Sequence, residues 1–238
     1  MSGFHLAGIV PVAGQPLDFN MPWHDSLMPI SQNYLAVERA VIECAYAGCE
    51  TIWLICHTDM QPLSVLYGAW MSQKVCGRLS IHLKPDMYYT AFPYGVYHVS
   101  KVREHRKAIS SKRPFYLSHN GKTIIDGEYL AFTATPDTFR RLSSEVAVKS
   151  TGVYEDEART KKLPIEERYS YRHFKLEQVF DTLSLDGAKV HELERYWRID
   201  SWEEYKKYMA VEKAHIRRPG KSLLSYKEWN GIGVDEIE

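Results

Sequence analysis

Ala7-Gly8-Ile9-Val10-Pro11-Val12-Ala13-Gly14, continued through Pro22-Trp23-His24-Asp25-Ser26-Leu27-Met28-Pro29-Ile30, decides how the chain folds. The apolar run is predicted to be a buried strand, and it passes straight into a glycine-bearing loop. A helix is predicted over Asn33 to Ala47, where Tyr34, Val37, Val41 and Cys44 recur at steps of three and four and so share one face. Gly48 stops it by accepting a left-handed conformation, and Thr51 to Cys56 is the next apolar strand. Strand, loop, helix and strand form a βαβ unit, whose strands run parallel. In open parallel sheets the loops at the carboxyl ends of the strands make the binding crevice. Val12, Ala13, Gly14 and Gln15 are therefore the expected nucleotide-binding rim. A glycine there lets a phosphate approach the backbone closely, although a simple turn uses glycine too.

Composition bounds what else the chain can be. With 238 residues and 45% hydrophobic content it can bury a substantial core. Thirty basic and thirty acidic residues cancel, so no overall field draws it to nucleic acid or to an anionic membrane, and any polyanion site must be local. No apolar run approaches the roughly eighteen residues that cross a bilayer. The start, Met1-Ser2-Gly3-Phe4-His5, lacks the charged and apolar regions of a signal peptide, so a cytoplasmic location is expected. Cys44, Cys49, Cys56 and Cys76 include no C-x-x-C, which favours buried thiols over a zinc site.

Further along, a helix is predicted over Ser64 to Val75, a third strand over Met87 to Phe92 and a charged helix over Val99 to Ile109. Asn120-Gly121 between Phe115-Tyr116-Leu117 and Thr123-Ile124-Ile125 is a hairpin signal. Tyr129 to Phe132 is an apolar segment, and Thr135-Pro136 opens a short helix. Residues 150–167 are polar and without period, Tyr171 to Leu183 reads as helix, and Lys189 to Trp197 as strand. Ser201-Trp202-Glu203-Glu204 has the S-x-x-E form that begins a helix. The expected architecture is α/β: a three-layer, Rossmann-like, mostly parallel sheet with helices on both faces and a small hairpin insertion. Residues 1–210 form the domain, and 211–238 a tail whose Tyr226, Trp229 and Ile232 need burial on the domain, a second copy or a protein partner.

The strand Gly8 to Val12, the glycine at 14, the Asp25–Ile30 element, the helix ending at Gly48 and the strand after it resemble the amino-terminal signature of the GT-A-like sugar-nucleotide transferases. Tyr196-Trp197-Arg198-Ile199-Asp200-Ser201-Trp202-Glu203-Glu204-Tyr205 resembles that family's closing W-x-D-I-G-T-x-E-D-Y. The Pro22–Asp25 and Phe92–Tyr97 segments also resemble nucleotidyltransferase-like proteins of tailed bacterial viruses, which would put the chain in a host cytoplasm. The resemblance implies a GT-A-type fold and a nucleoside triphosphate or nucleotide sugar as partner. It further implies transfer of a nucleotidyl group to a sugar 1-phosphate, Mg2+ as cofactor, and Asp200 as a metal-binding carboxylate.

The departures are specific. Gln15-Pro16-Leu17-Asp18 follows Gly14, so the second glycine, the threonine and the arginine of the family's phosphate loop are missing. Asp25 stands at the family's lysine position, and Pro93-Tyr94-Gly95 stands where a metal-binding Gly-Asp belongs. Asp25, Arg168 and Arg172 are the catalytic candidates, the arginines as a phosphate clamp replacing the missing cations. Each has a plainer reading: Asp18 and Asp25 as turn formers, Arg168, Arg172 and His173 as solvated surface, Asp200 as a helix-dipole partner. A second function follows from the same losses, namely a catalytically degenerate transferase fold kept as an interaction or virion-assembly module.

Overall fold

The computed structural model describes residues 4–12, 25–32, 34–55, 85–142, 180–211, 216 and 218–219. Strand β1 (Leu6–Pro11) is followed by a 3-10 turn at Asp25–Leu27, then β2 (Pro29–Ser31) and β3 (Tyr34–Leu35), helix α1 (Ala36–Ala47) and β4 (Thr51–Ile55). β5 (Met87–Thr90) and β6 (Gly95–Val96) precede the short helices α2 (Ser100–Glu104) and α3 (Arg106–Ile109). After β7 (Phe115–Ser118) come a 3-10 turn at Ile124–Asp126, β8 (Phe132–Ala134), β9 (Lys189–Glu192), β10 (Trp197–Arg198) and the helix Trp202–Ala210. Among the described residues no helix is long and apolar enough to cross a membrane.

Six strands form one sheet in the order β4-β1-β5-β8-β7-β9. β1 is an interior strand with a parallel neighbour on each side, Ala7 facing Thr51 of β4 and Tyr88 of β5. β7 and β9 are also parallel, and β8 alone runs against β5 and β7. Alternation along β7 shows how the layers arise, because successive side chains on a strand point to opposite faces. Phe115 and Leu117 enter a cluster with Val37, Val41 and Cys44 of α1, Val102 of α2 and Ile109 of α3. Tyr116 enters the opposite cluster with Phe132 and Leu142, against which Phe139 packs. Residues 136–142 are helical, and Phe139 stacks on Tyr88 of β5 at 4.5 Å. Helices therefore cover both faces of a mostly parallel sheet.

Helix α1 is the central element, buried around nearly its whole circumference. Gly8 makes its close approach feasible: a methyl group on that residue would lie 2.9 Å from Cys44 Cβ and 3.0 Å from Ile52 Cγ1. Cys44 and Cys49 are buried and free, and burial pushes the Cys44 thiol up.

Several boundaries differ from expectation for identifiable reasons. Tyr34 and Leu35 pair antiparallel with β2, so the helix starts at Ala36, where the Glu38 carboxylate accepts the Leu35 N–H at 3.4 Å. Asn120 and Gly121 do make a tight turn, both with positive φ, closed by mutual His119–Lys122 hydrogen bonds. Thr123-Ile124-Ile125 is not a returning strand, however. Thr123 Oγ1 accepts the Ile125 N–H, Asp126 accepts the Thr123 N–H at 2.8 Å, and Gly127 ends the turn with φ 85. This local capping competes with pairing, and β8 becomes the neighbour of β7 instead.

The charged segment after Val99 breaks at His105 into α2 and α3, and Lys189–Trp197 divides into β9 and the separate β10. Thr135 does start the 136–142 helix, its Oγ1 accepting the Thr138 N–H at 3.1 Å. Ser201 likewise accepts the Glu204 N–H at 3.3 Å. The predicted Ser64–Val75 helix, the 150–167 loop, most of Tyr171–Leu183 and the tail's Tyr226, Trp229 and Ile232 lie outside the described residues.

Candidate functional site

Parallel strands deliver their carboxyl ends to one rim, so Val12 after β1, Phe92 after β5, Ser118 of β7 and Glu192 of β9 share it. β8 runs the other way and brings its entry, Tyr129–Ala131, to the same edge. Val12 is 1% exposed and its side chain belongs to the core, so only its backbone could meet a ligand. Ala13, Gly14, Gln15, Arg168 and Arg172 lie outside the described residues.

The segment leaving β5 is held from below by α1. Arg39 Nη2 donates to the Phe92 carbonyl, while Nη1 donates to Glu43, whose other oxygen accepts the hydroxyls of Tyr89 and Tyr97. Beyond Phe92, Pro93-Tyr94-Gly95 turns into β6, which pairs antiparallel with β10, Gly95 opposite Arg198 and Val96 opposite Trp197. The Ile199 N–H donates to the Tyr94 carbonyl at 2.9 Å. Two segments far apart in sequence are thereby joined, and Asp200 is brought to the exit of β5. Gly95 permits this, because a Cβ there would fall 1.9 Å from the Tyr129 carbonyl oxygen.

Asp25 reaches the same neighbourhood from the turn before β2. It is 9% exposed, and its carboxylate acts electrostatically on Tyr94, whose hydroxyl is pushed up first by burial and then by that charge. The Tyr94 and Tyr129 rings meet edge to face at 5.4 Å. Arg198 lies over the Tyr129 ring, its Cζ 5.2 Å from the centroid. Its Nε and Nη2 both bond Asp200 Oδ2, and Nη1 donates to the Gly127 carbonyl at 3.2 Å. Burial works against the arginine's charge, yet the hydrogen bond and charge of Asp200 hold it above the usual arginine range. Asp25, Tyr94, Tyr129, Arg198 and Asp200 thus form one cluster.

The far end of the rim is polar as well. Ser118 donates to Glu192 Oε2 at 2.6 Å, which holds that exposed carboxyl below its usual range. Tyr196 accepts the Tyr129 N–H at 2.9 Å and so ties the two ends together.

Sequence reasoning singled out Asp25 and Asp200 but missed Tyr94, Gly95, Tyr129 and Arg198. A signal for Arg198 was present: residues i and i+2 of an extended segment lie on one face, so an arginine two places before Asp200 is its natural partner. That pairing bears on a metal. Among the described residues no group of three His, Cys, Asp or Glu could hold an ion, and the Asp200 carboxylate is already engaged by Arg198. Magnesium needs several oxygen ligands in near-octahedral order, so these residues do not fit one.

No family profile and no curated protein matches the sequence. Solved structures do match. The chain is similar to a structure from Bacillus anthracis described as a glucose-1-phosphate thymidylyltransferase and solved in complex with sucrose. The TM-score is 0.56 at 11% identity, over 91% of this chain and 98% of that one. The fold is nucleotidyltransferase-like. Rv0371c from Mycobacterium tuberculosis is similar too, with TM-score 0.55 and 10% identity over 88% of this chain and all of that one. The manganese complex of Rv0371c matches at TM-score 0.51 and 10% identity over the same shares. At such identities the likeness establishes the nucleotidyltransferase-like fold alone.

Proposed function

We propose that the chain binds a nucleoside triphosphate or nucleotide sugar over the rim that follows β1, and that it transfers a nucleotidyl group to a sugar 1-phosphate. One observation carries this reading: β1 has parallel partners on both sides, so the chain leaves it at the carboxyl-end rim of the sheet, with Gly14 following shortly after in sequence. Support also comes from the meeting of the Asp25 and Asp200 segments at Tyr94 and Tyr129, which joins the two stretches that carry the sequence resemblance.

In the reaction an oxygen of the sugar phosphate attacks the α-phosphorus of the triphosphate, and the bond to the β-phosphate bridging oxygen breaks to release pyrophosphate. Arg198, paired with Asp200, offers its remaining N–H donors at the β5 exit, and Arg168 and Arg172 are assigned the clamp on the departing phosphates. Divalent cations belong to this reading by likeness to the manganese complex of Rv0371c, with Mg2+ the ordinary choice. When bound, such an ion would neutralise phosphate charge. Because the described residues offer it no ligand set, no step is assigned to it. The substrate's sugar class has the same kind of support, the sucrose in the Bacillus anthracis structure.

Pyrophosphate release tests the reading, assayed with each nucleoside triphosphate against a panel of sugar 1-phosphates. Release that needs both substrates is expected; its absence from every pair contradicts transfer while leaving binding to be judged separately. A second reading, a binding or assembly module on the same fold, is favoured by the neutralised Asp200. It requires self-association or a protein partner, which light scattering of the full chain detects. The division at residue 210 is part of either reading, with the following segment returning to the body at Ile216 and Arg218.

A further inference from the structure

Resting on the nucleotide-binding reading, we infer that Arg198 replaces a divalent cation at Asp200, and that its guanidinium holds a phosphate of the bound nucleotide without metal. The pair cancels the carboxylate's charge through two N–H bonds to Oδ2, and an ion at Asp200 would have to break them. The guanidinium is fixed in plane and position: the Tyr129 ring lies beneath it, and the Gly127 carbonyl takes a donor from Nη1. With Nε and one hydrogen on each Nη engaged, one N–H remains on each Nη to donate to phosphate oxygens. The side chain is 39% exposed while Asp200 is 14% exposed, so the cation is more open to an incoming ligand than the anion.

Tyr94 packs on the same ring that lies beneath the guanidinium. The Tyr94 hydroxyl is buried with no hydrogen-bond partner among the described residues, and its ring touches Tyr129. An unpaired buried hydroxyl is costly unless something fills its valence, and an ordered water would do so. The ligand group is therefore a phosphate of the bound nucleotide, recognised by the guanidinium of Arg198.

The test is isothermal titration of the full chain with inorganic pyrophosphate and with each common nucleoside triphosphate, once in EDTA and once in excess magnesium. The expected result is the same affinity in both buffers for the wild type. Arg198→Met should weaken binding about ten-fold or more in both buffers, and Arg198→Lys should fall between. Thermal melting of each variant establishes folding. Should Arg198→Met not fold, Arg198→Lys and the wild-type comparison decide.

Binding that appears only with magnesium overturns this inference and leaves the nucleotide reading standing, as does unchanged binding by folded Arg198→Met. No binding in either buffer overturns both. Electron spin resonance of added manganese gives an independent readout: no immobilised ion is expected, and one that disappears in Asp200→Asn contradicts the inference.

Discussion

Arg39 Nη1 donates to Glu43 Oε2 at 2.7 Å with both side chains wholly excluded from solvent. The pair spans one turn of α1, and its remaining groups reach the sheet: Tyr89 donates to Glu43 Oε1 at 2.6 Å and the Arg39 guanidinium lies 4.6 Å from the Tyr97 ring centre. Isolated buried charges are strongly unfavourable, and here each is neutralised and hydrogen-bonded. Arg39→Met should therefore cost about 3–5 kcal/mol in urea denaturation, because it strands the carboxylate. Arg39→Met with Glu43→Leu should recover part of the loss. A single-variant cost below about 1 kcal/mol would show that the pair contributes no more than a surface bridge.

Gly95 is the second point where one atom matters. Its Cβ would sit 1.9 Å from a backbone oxygen, which no side-chain rotation relieves. Gly95→Ala should cost about 3 kcal/mol, at the upper end for overpacking, and weaken nucleotide binding because Tyr129 carries Arg198. Gly8→Ala meets side-chain atoms at 2.9–3.0 Å, and should cost less while sparing binding. Paired denaturation and titration check both, and equal binding losses would count against the assignment of the site to the β6–β10 junction.

A pH effect is expected at the outer edge of the sheet. Burial, and then the charge of His105, whose ring lies tilted against it at 3.3 Å between centres, lowers the His191 pKa, with Glu104, Lys101 and Glu192 also nearby. A histidine with a folded pKa below its unfolded value contributes stability above about 6.5, and that contribution is lost as pH falls through the folded value. Wild type should thus lose more melting temperature than His191→Gln between about pH 7.5 and 5.5. His98, also lowered first by burial, is common to both proteins and drops out of the difference. Parallel curves would remove His191 from the acid limb.

Past Val211 the chain touches the body at defined points. Ile216 is 5% exposed in the cluster containing Tyr208, and Arg218 Nε donates to Glu38 at 2.7 Å. Ending the chain at Ala210 should lower stability by about 2 kcal/mol from the lost apolar burial alone, measured by urea denaturation. An unchanged midpoint would mean that these contacts do not contribute.

The elements legible in the sequence were those governed by local pattern. β1, α1 and β4 follow from apolar periodicity and the Gly48 stop, and their parallel order follows from connection rules. Ile124 looked like strand because apolar residues flank a turn signal, whereas the outcome hinged on Thr123 and Asp126 satisfying each other's backbone. Of the residues that meet in the candidate cluster, the sequence reading singles out only Asp25 and Asp200. Tyr94, Gly95, Tyr129 and Arg198 become meaningful when β6 pairs with β10, a contact between distant segments that no window of sequence displays.

Nucleotide binding at the rim after β1 is tested most directly by titrating the wild type and Gly14→Val with nucleoside triphosphates and nucleotide sugars, each protein first shown to melt at the same temperature. Saturable heat with at least one ligand, lost in the variant, is the expected result. No heat from any ligand with the wild type, or undiminished binding by Gly14→Val, would contradict it.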